Sequence, residues 1–93
     1  MGRVTIDPPA LLFLRTLAPG PKRAVRAAVD ELRADARPKG VDWKRLETDA
    51  EVLLYRLRVG DYRVVYVLLG SDIRVVRVFH RREGYHWLER LGY

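Results

Sequence analysis

The stretch YRLRVGDYRVVY, residues 55–66, constrains the fold more than any other part of this chain. It alternates apolar and polar residues, reaches Gly60-Asp61, and alternates again, the pattern of a β-hairpin with a two-residue turn. Glycine in first place suits a type II′ turn, and type I′ also accepts the pair. With the turn there, Val59 opposes Tyr62, Arg58 opposes Arg63, Leu57 opposes Val64 and Arg56 opposes Val65. Side chains alternate faces along a strand. Tyr55, Leu57, Val59, Tyr62, Val64 and Tyr66 therefore share one face, and Arg56, Arg58, Arg63 and Val65 share the other. Like charges opposed across strands destabilise a sheet, so the arginine face calls for a negative partner. The plainer alternative is a solvated sheet face, but alternating signs would serve that purpose at lower cost.

The remaining elements are arranged around this hairpin. RVTI at 3–6 reads as a short strand. Asp7 is a good N-cap and Pro8 fits the first helical position, so a helix is expected over 8–17. APGP at 18–21 breaks it. A second helix is expected over 21–36, with Val25, Ala28, Val29, Leu32 and Ala36 as its apolar stripe. Residues 41–51 read as a connector pinned by Trp43 and Leu46. Strands are expected at 52–59, 62–69 and 72–80, and a last short helix over 83–91. The order β-α-α-β-β-β-α predicts an α+β fold in one domain, 1–93: a helical hairpin packed on a small, mostly antiparallel four-stranded sheet. The second turn, GSD at 70–72, is ambiguous in length. If it preserves parity, Val78 and His80 join the arginine face; a three-residue loop reverses that.

Composition narrows the chemistry. With no cysteine among 93 residues, disulfides, Cys-ligated zinc and a thiol nucleophile are excluded, and two histidines are too few for a His-rich metal site. No apolar run approaches the roughly 20 residues of a membrane span, and the N-terminus lacks a signal-peptide core, so a cytoplasmic protein is expected. The net charge is +6. Residues 52–93 hold eight basic side chains against four acidic ones, and all eight are arginine. Arginine presents a planar fork suited to phosphate oxygens. HRREGY at 80–85 adds Arg81, Arg82, an imidazole, a carboxylate and a phenol at the end of the last strand. Guanidiniums that grip phosphate and a ring that stacks on an unpaired base point to RNA.

YRLRVGDYRVVYVL followed by VVRVFHRREGYHWL resembles the RelE/ParE superfamily of toxin–antitoxin toxins, and is closer to RelE. The resemblance spans nearly the whole chain. It implies an endoribonuclease that cuts mRNA in the ribosomal A site, with the adjacent 2′-hydroxyl as nucleophile, and so inhibits translation. It further implies an acidic RelB-like antitoxin, contacts with 16S rRNA, no cofactor and no membrane. Arg56 and Arg58 match two basic positions that are often lysines in members, one of them implicated in activating the 2′-hydroxyl. Arg63 matches the residue that grips the scissile phosphate. Arg82, or Arg81 if the alignment slides, matches the residue that stabilises the transition state or leaving group. Tyr85 matches the tyrosine that stacks on an mRNA base, and Gly84 departs from the β-branched residue often found before it.

Arginine is a very poor general base. His80 and Glu83 are therefore the acid/base candidates. His80 reads equally as a polar residue at a strand end, and Glu83 reads first as a helix N-terminal carboxylate or ion-pair partner. Tyr85 as a core residue is its bland alternative; Trp87 reads as core or antitoxin contact and His86 as surface. Two other functions stay open on the same fold: a ParE-like gyrase inhibitor, which is not an enzyme, and an inactive toxin that only binds antitoxin or RNA.

Overall fold

A computed structural model describes residues 2–38, 40, 42–48 and 51–85, and seven elements lie among them. They are β1 (Val4–Ile6), α1 (Pro8–Thr16), α2 (Pro19–Leu32), β2 (Trp43–Arg45), β3 (Leu53–Val59), β4 (Tyr62–Leu69) and β5 (Asp72–His80). The strands form one sheet in the order β1-β5-β4-β3-β2. β1 runs parallel to β5, and the other pairings are antiparallel. The class is α+β, as expected, with five strands rather than four. Among the described residues, no helix is long and apolar enough to cross a membrane.

The helical hairpin covers one face of the sheet. Ala10 and Leu14 of α1 and Val25, Val29 and Leu32 of α2 pack on Tyr55, Leu57, Val64, Tyr66, Ile73, Val75 and Val78. Full burial of each large apolar side chain contributes about 1.5–3 kcal/mol, so this layer carries much of the fold. α2 starts at Pro19, two residues before its expected start, because its first-turn amides need no helical acceptor and prolines are tolerated there. It ends at Leu32 rather than at 36. Asp7 sits at the N-cap of α1 without a side-chain cap bond. Its carboxylate instead accepts two hydrogen bonds from Arg74, at 2.8 and 2.9 Å, which tie the start of α1 to β5.

Three corrections concern the sheet and the chain end. Residues 43–45, read as connector, form edge strand β2 on β3, with Trp43 opposite Leu57 and Lys44 opposite Arg56. The second turn is a two-residue turn at Gly70-Ser71, since Leu69 pairs with Asp72. The parity nevertheless reverses further along, because the β4–β5 ladder shifts by one residue: Tyr66 pairs with Val75, but Val65 pairs with Arg77. Val76 is the extra residue of a β-bulge. Val78 and His80 thus lie on the helix-covered face, opposite Val64 and Tyr62, and not on the arginine face. At the chain end, residues 83–85 form turn and bend rather than the start of a helix. The rest of the helix expected over 83–91, with His86 and Trp87, lies outside the described residues.

Candidate nucleic-acid interface

The hairpin register is the one the sequence dictates. All seven β3 residues pair with β4, from Leu53 opposite Leu68 to Val59 opposite Tyr62, and Arg58 stands directly opposite Arg63. Gly60 has φ +57°, and no described non-glycine residue has positive φ. Asp61 therefore cannot supply the second left-handed residue of a type I′ turn, and the pattern fits type II′. Arg56, Arg58 and Arg63 share the face away from the helices. Lys44 from β2 and Arg77 from β5 extend the row through Arg56 and Val65.

This face is not simply solvated. Leu54, Val65, Val67, Val76 and Phe79 form a second buried cluster on it, joined by Leu46, Val52 and Tyr85. The bulge brings Phe79 opposite Arg63. The Tyr85 ring meets Phe79 edge-on, with centroids 5.2 Å apart and planes at 82°. Arg56 and Arg63 are each only 8% exposed, set into this apolar floor. Arg63 donates from one guanidinium nitrogen to the Gly60 and Tyr62 carbonyls, both at 2.9 Å. Arg56 Nε is buried and makes no hydrogen bond.

The electrostatics follow from this crowding. Burial lowers the Arg63 pKa below its ordinary value, and the Arg58, Arg56 and Arg81 charges push the same way, with Tyr85 opposing. Burial raises the Tyr85 phenol, which the Arg56, Arg63 and Arg58 charges partly offset and the Asp42 charge reinforces. Tyr85 is therefore a neutral phenol at physiological pH, held among three guanidiniums. A bound anion would relieve the repulsion at Arg63.

Asp42, which the sequence reading passed over, stands at the edge of the cluster. Its carboxylate lies 3.4 Å from an Arg56 terminal nitrogen and 3.3 Å from one of Arg58. Its carbonyl accepts the Arg58 amide N–H at 2.8 Å, which carries the β2–β3 pairing one residue further. Nothing local in VDWKRL marks Asp42; the pairing of β2 with β3 brings it there.

The chain-end candidates separate. Arg81 bonds back to the hairpin tip, its amide to the Asp61 carbonyl at 2.8 Å and its Nε 3.5 Å from the Asp61 carboxylate. Arg82 is exposed, and its amide donates to His80 Nδ1 at 3.2 Å. His80 meets the Tyr62 ring edge-on at 5.4 Å on the helix side, which removes it as a partner for the arginine face. Glu83 is exposed on the turn, its amide donating to the His80 carbonyl at 2.9 Å. Among the described residues, no group of three His, Cys, Asp or Glu side chains could hold a metal ion.

Known proteins share this architecture. The family described as the ParE toxin of the type II toxin–antitoxin system parDE matches residues 9–85. A chain of Methanocaldococcus jannaschii assigned as the toxin RelE1 is 37% identical over 83 residues, covering 87% of this chain and 90% of that one. The archaeal RelE–RelB complex of Pyrococcus horikoshii aligns with a TM-score of 0.77 at 28% identity, over 89% of this chain and 98% of the other. The RelBE2 toxin–antitoxin complex of Mycobacterium tuberculosis aligns with a TM-score of 0.67 at 26% identity, over 86% and 98%.

Proposed function

The chain belongs to the ParE toxin family of type II toxin–antitoxin systems, within the RelE/ParE superfamily, and from that premise we propose that it is a RelE-like endoribonuclease acting on mRNA at the ribosome. One observation carries the reading: Arg58 opposite Arg63, with the largely buried Arg56 alongside, on an apolar floor that ends in the Tyr85 ring. Arg63, Arg56 and Arg58 take the scissile phosphate and the charge that builds on it as the 2′-hydroxyl attacks. Fixed charge of this kind, aimed at a developing anion, is usually the largest catalytic contribution. Tyr85 stacks on an mRNA base. Arg82 stabilises the leaving side or contacts ribosomal RNA, and Arg81 adds to the phosphate-binding surface. The product is a cut message and arrested translation in the cytoplasm.

The Pyrococcus horikoshii relative is described as a RelE–RelB complex and the Mycobacterium tuberculosis one as a toxin–antitoxin complex. An acidic RelB-like antitoxin is the corresponding partner here, matched in charge to a +6 chain. Expression without antitoxin is expected to arrest growth and to cut translated mRNA at sites that primer extension maps. Arg63→Ala and Tyr85→Ala are expected to lose those cuts. Growth arrest with intact mRNA would sink the proposal. The family's ParE name favours one second reading, a gyrase inhibitor without nuclease activity; DNA breaks and an SOS response with intact mRNA would establish it.

A further inference from the structure

We infer that Asp42 is the general base of this site: its carboxylate takes the proton of the 2′-hydroxyl as that oxygen attacks the phosphate. The inference rests on the cleavage reading above and supplies the group that reading lacks. Arginine is a very poor general base, so the guanidiniums of Arg56, Arg58 and Arg63 suit holding a phosphate and not taking a proton. His80 faces the helices, and Glu83 rides on the turn that folds back on the His80 carbonyl. Asp42 is the acid that the two β3 arginines themselves hold, one oxygen on each.

Its geometry suits the task. The backbone is anchored by the 2.8 Å bond from the Arg58 amide, so the carboxylate stays at the edge of the arginine cluster. The side chain is 48% exposed, within reach of a substrate. Its contacts with the arginines, at 3.4 and 3.3 Å, are longer than the about 2.7–2.9 Å of a strong charge-assisted bond. An arriving phosphate can therefore take over the guanidinium donors and leave the carboxylate free to turn toward the nucleophile. In a near-attack arrangement the 2′-oxygen lies only about 3–3.5 Å from the phosphorus, so the arginines that fix the phosphate also fix the hydroxyl beside Asp42.

The step balances. The 2′-oxygen gives its proton to an Asp42 carboxylate oxygen and forms the bond to phosphorus. The bond from phosphorus to the 5′-oxygen breaks with its electron pair on that oxygen, which takes a proton from water. The products are a 2′,3′-cyclic phosphate and a 5′-hydroxyl, and the protonated Asp42 returns its proton to solvent.

The test measures single-turnover cleavage of mRNA on programmed ribosomes beside ribosome binding, for wild type, Asp42→Asn and Asp42→Glu. A general base contributes about 10²–10⁴-fold. Asp42→Asn is therefore expected to lose about 100-fold or more in rate with binding within about threefold of wild type, and Asp42→Glu to recover at least about tenfold of the loss. Because the side chain is half exposed and the backbone carbonyl is untouched, the substitution leaves the fold standing, which a melting curve verifies. An Asp42→Asn protein that cleaves as fast as wild type, or faster, overturns the inference, since the carboxylate would then merely compete with phosphate. A rate loss matched by an equal loss of binding overturns it as well. Both of those outcomes leave the nuclease reading intact, whereas wild-type protein that never cuts removes the two together.

Discussion

Replacing Tyr66 by phenylalanine tests how the sheet holds the loop that leads to the site. Tyr66 is fully buried, stacks on Tyr55 with ring centroids 5.6 Å apart, and donates its hydroxyl to the Ala36 carbonyl at 2.6 Å. Arg37 also donates to the Tyr55 hydroxyl, so two phenols fasten Ala36 and Arg37, which follow α2, to the sheet. Tyr66→Phe keeps the ring and leaves the carbonyl without its donor, a cost of about 1–3 kcal/mol. For a domain of this size each kcal/mol lowers Tm by about 4–8 °C.

The same residue gives the effect a pH signature. Burial first, and the neighbouring Tyr55 second, push the Tyr66 phenol from its ordinary 10.0 up to about 12. The folded state thus holds the proton more tightly than the unfolded one. Its contribution is complete below pH 10 and is lost as pH rises toward 12, by about 1.4 kcal/mol per pH unit. Over that window the wild type loses about 2–3 kcal/mol through Tyr66, and the phenylalanine variant loses none of it. Denaturation curves at pH 7 and through the alkaline range should therefore show a gap between the two proteins that is open at pH 7 and closes above pH 10. A gap that stays constant across the alkaline range, or no gap at pH 7, would refute the reasoning.

Substitutions at two further positions probe the hairpin and its floor. Gly60→Ala meets no atom within 4 Å of the added carbon but places an L-residue at φ +57°, so about 1–2 kcal/mol of stability should be lost to backbone strain alone, while Gly60→Asn loses less; urea denaturation of the two variants reads the difference. Phe79→Leu keeps an apolar side chain opposite Arg63 but removes the edge-on contact with Tyr85, worth about 0.5–1.5 kcal/mol beyond area. It should melt a few degrees lower and cut mRNA more slowly, and an unchanged cleavage rate would separate the Phe79 ring from the placement of Tyr85.

Local pattern made much of this molecule legible. The alternation on either side of Gly60-Asp61 specified the β3–β4 register residue by residue, because one slip would have turned the apolar set of both strands into water. The spacing of Val25, Val29 and Leu32 specified the buried stripe of α2. What escaped was non-local. Residues 43–45 are too short to announce a strand and become one by pairing with β3. The double valine at 75–76 breaks the alternation of β5, and it was the one local hint of the bulge that sends His80 to the helix face and Phe79 beneath Arg63.

By itself, then, the sequence determined the hairpin, the two helices and the presence of three arginines on one sheet face, since each follows from the period of side chains along a single segment. The tertiary structure decided what surrounds those arginines. It sank Arg56 and Arg63 into a second apolar layer, removed His80 from their side, and brought Asp42 to Arg56 and Arg58. Those outcomes depend on which strands meet and in what register. That choice is made by burying both faces of the sheet at once, and no single segment carries it.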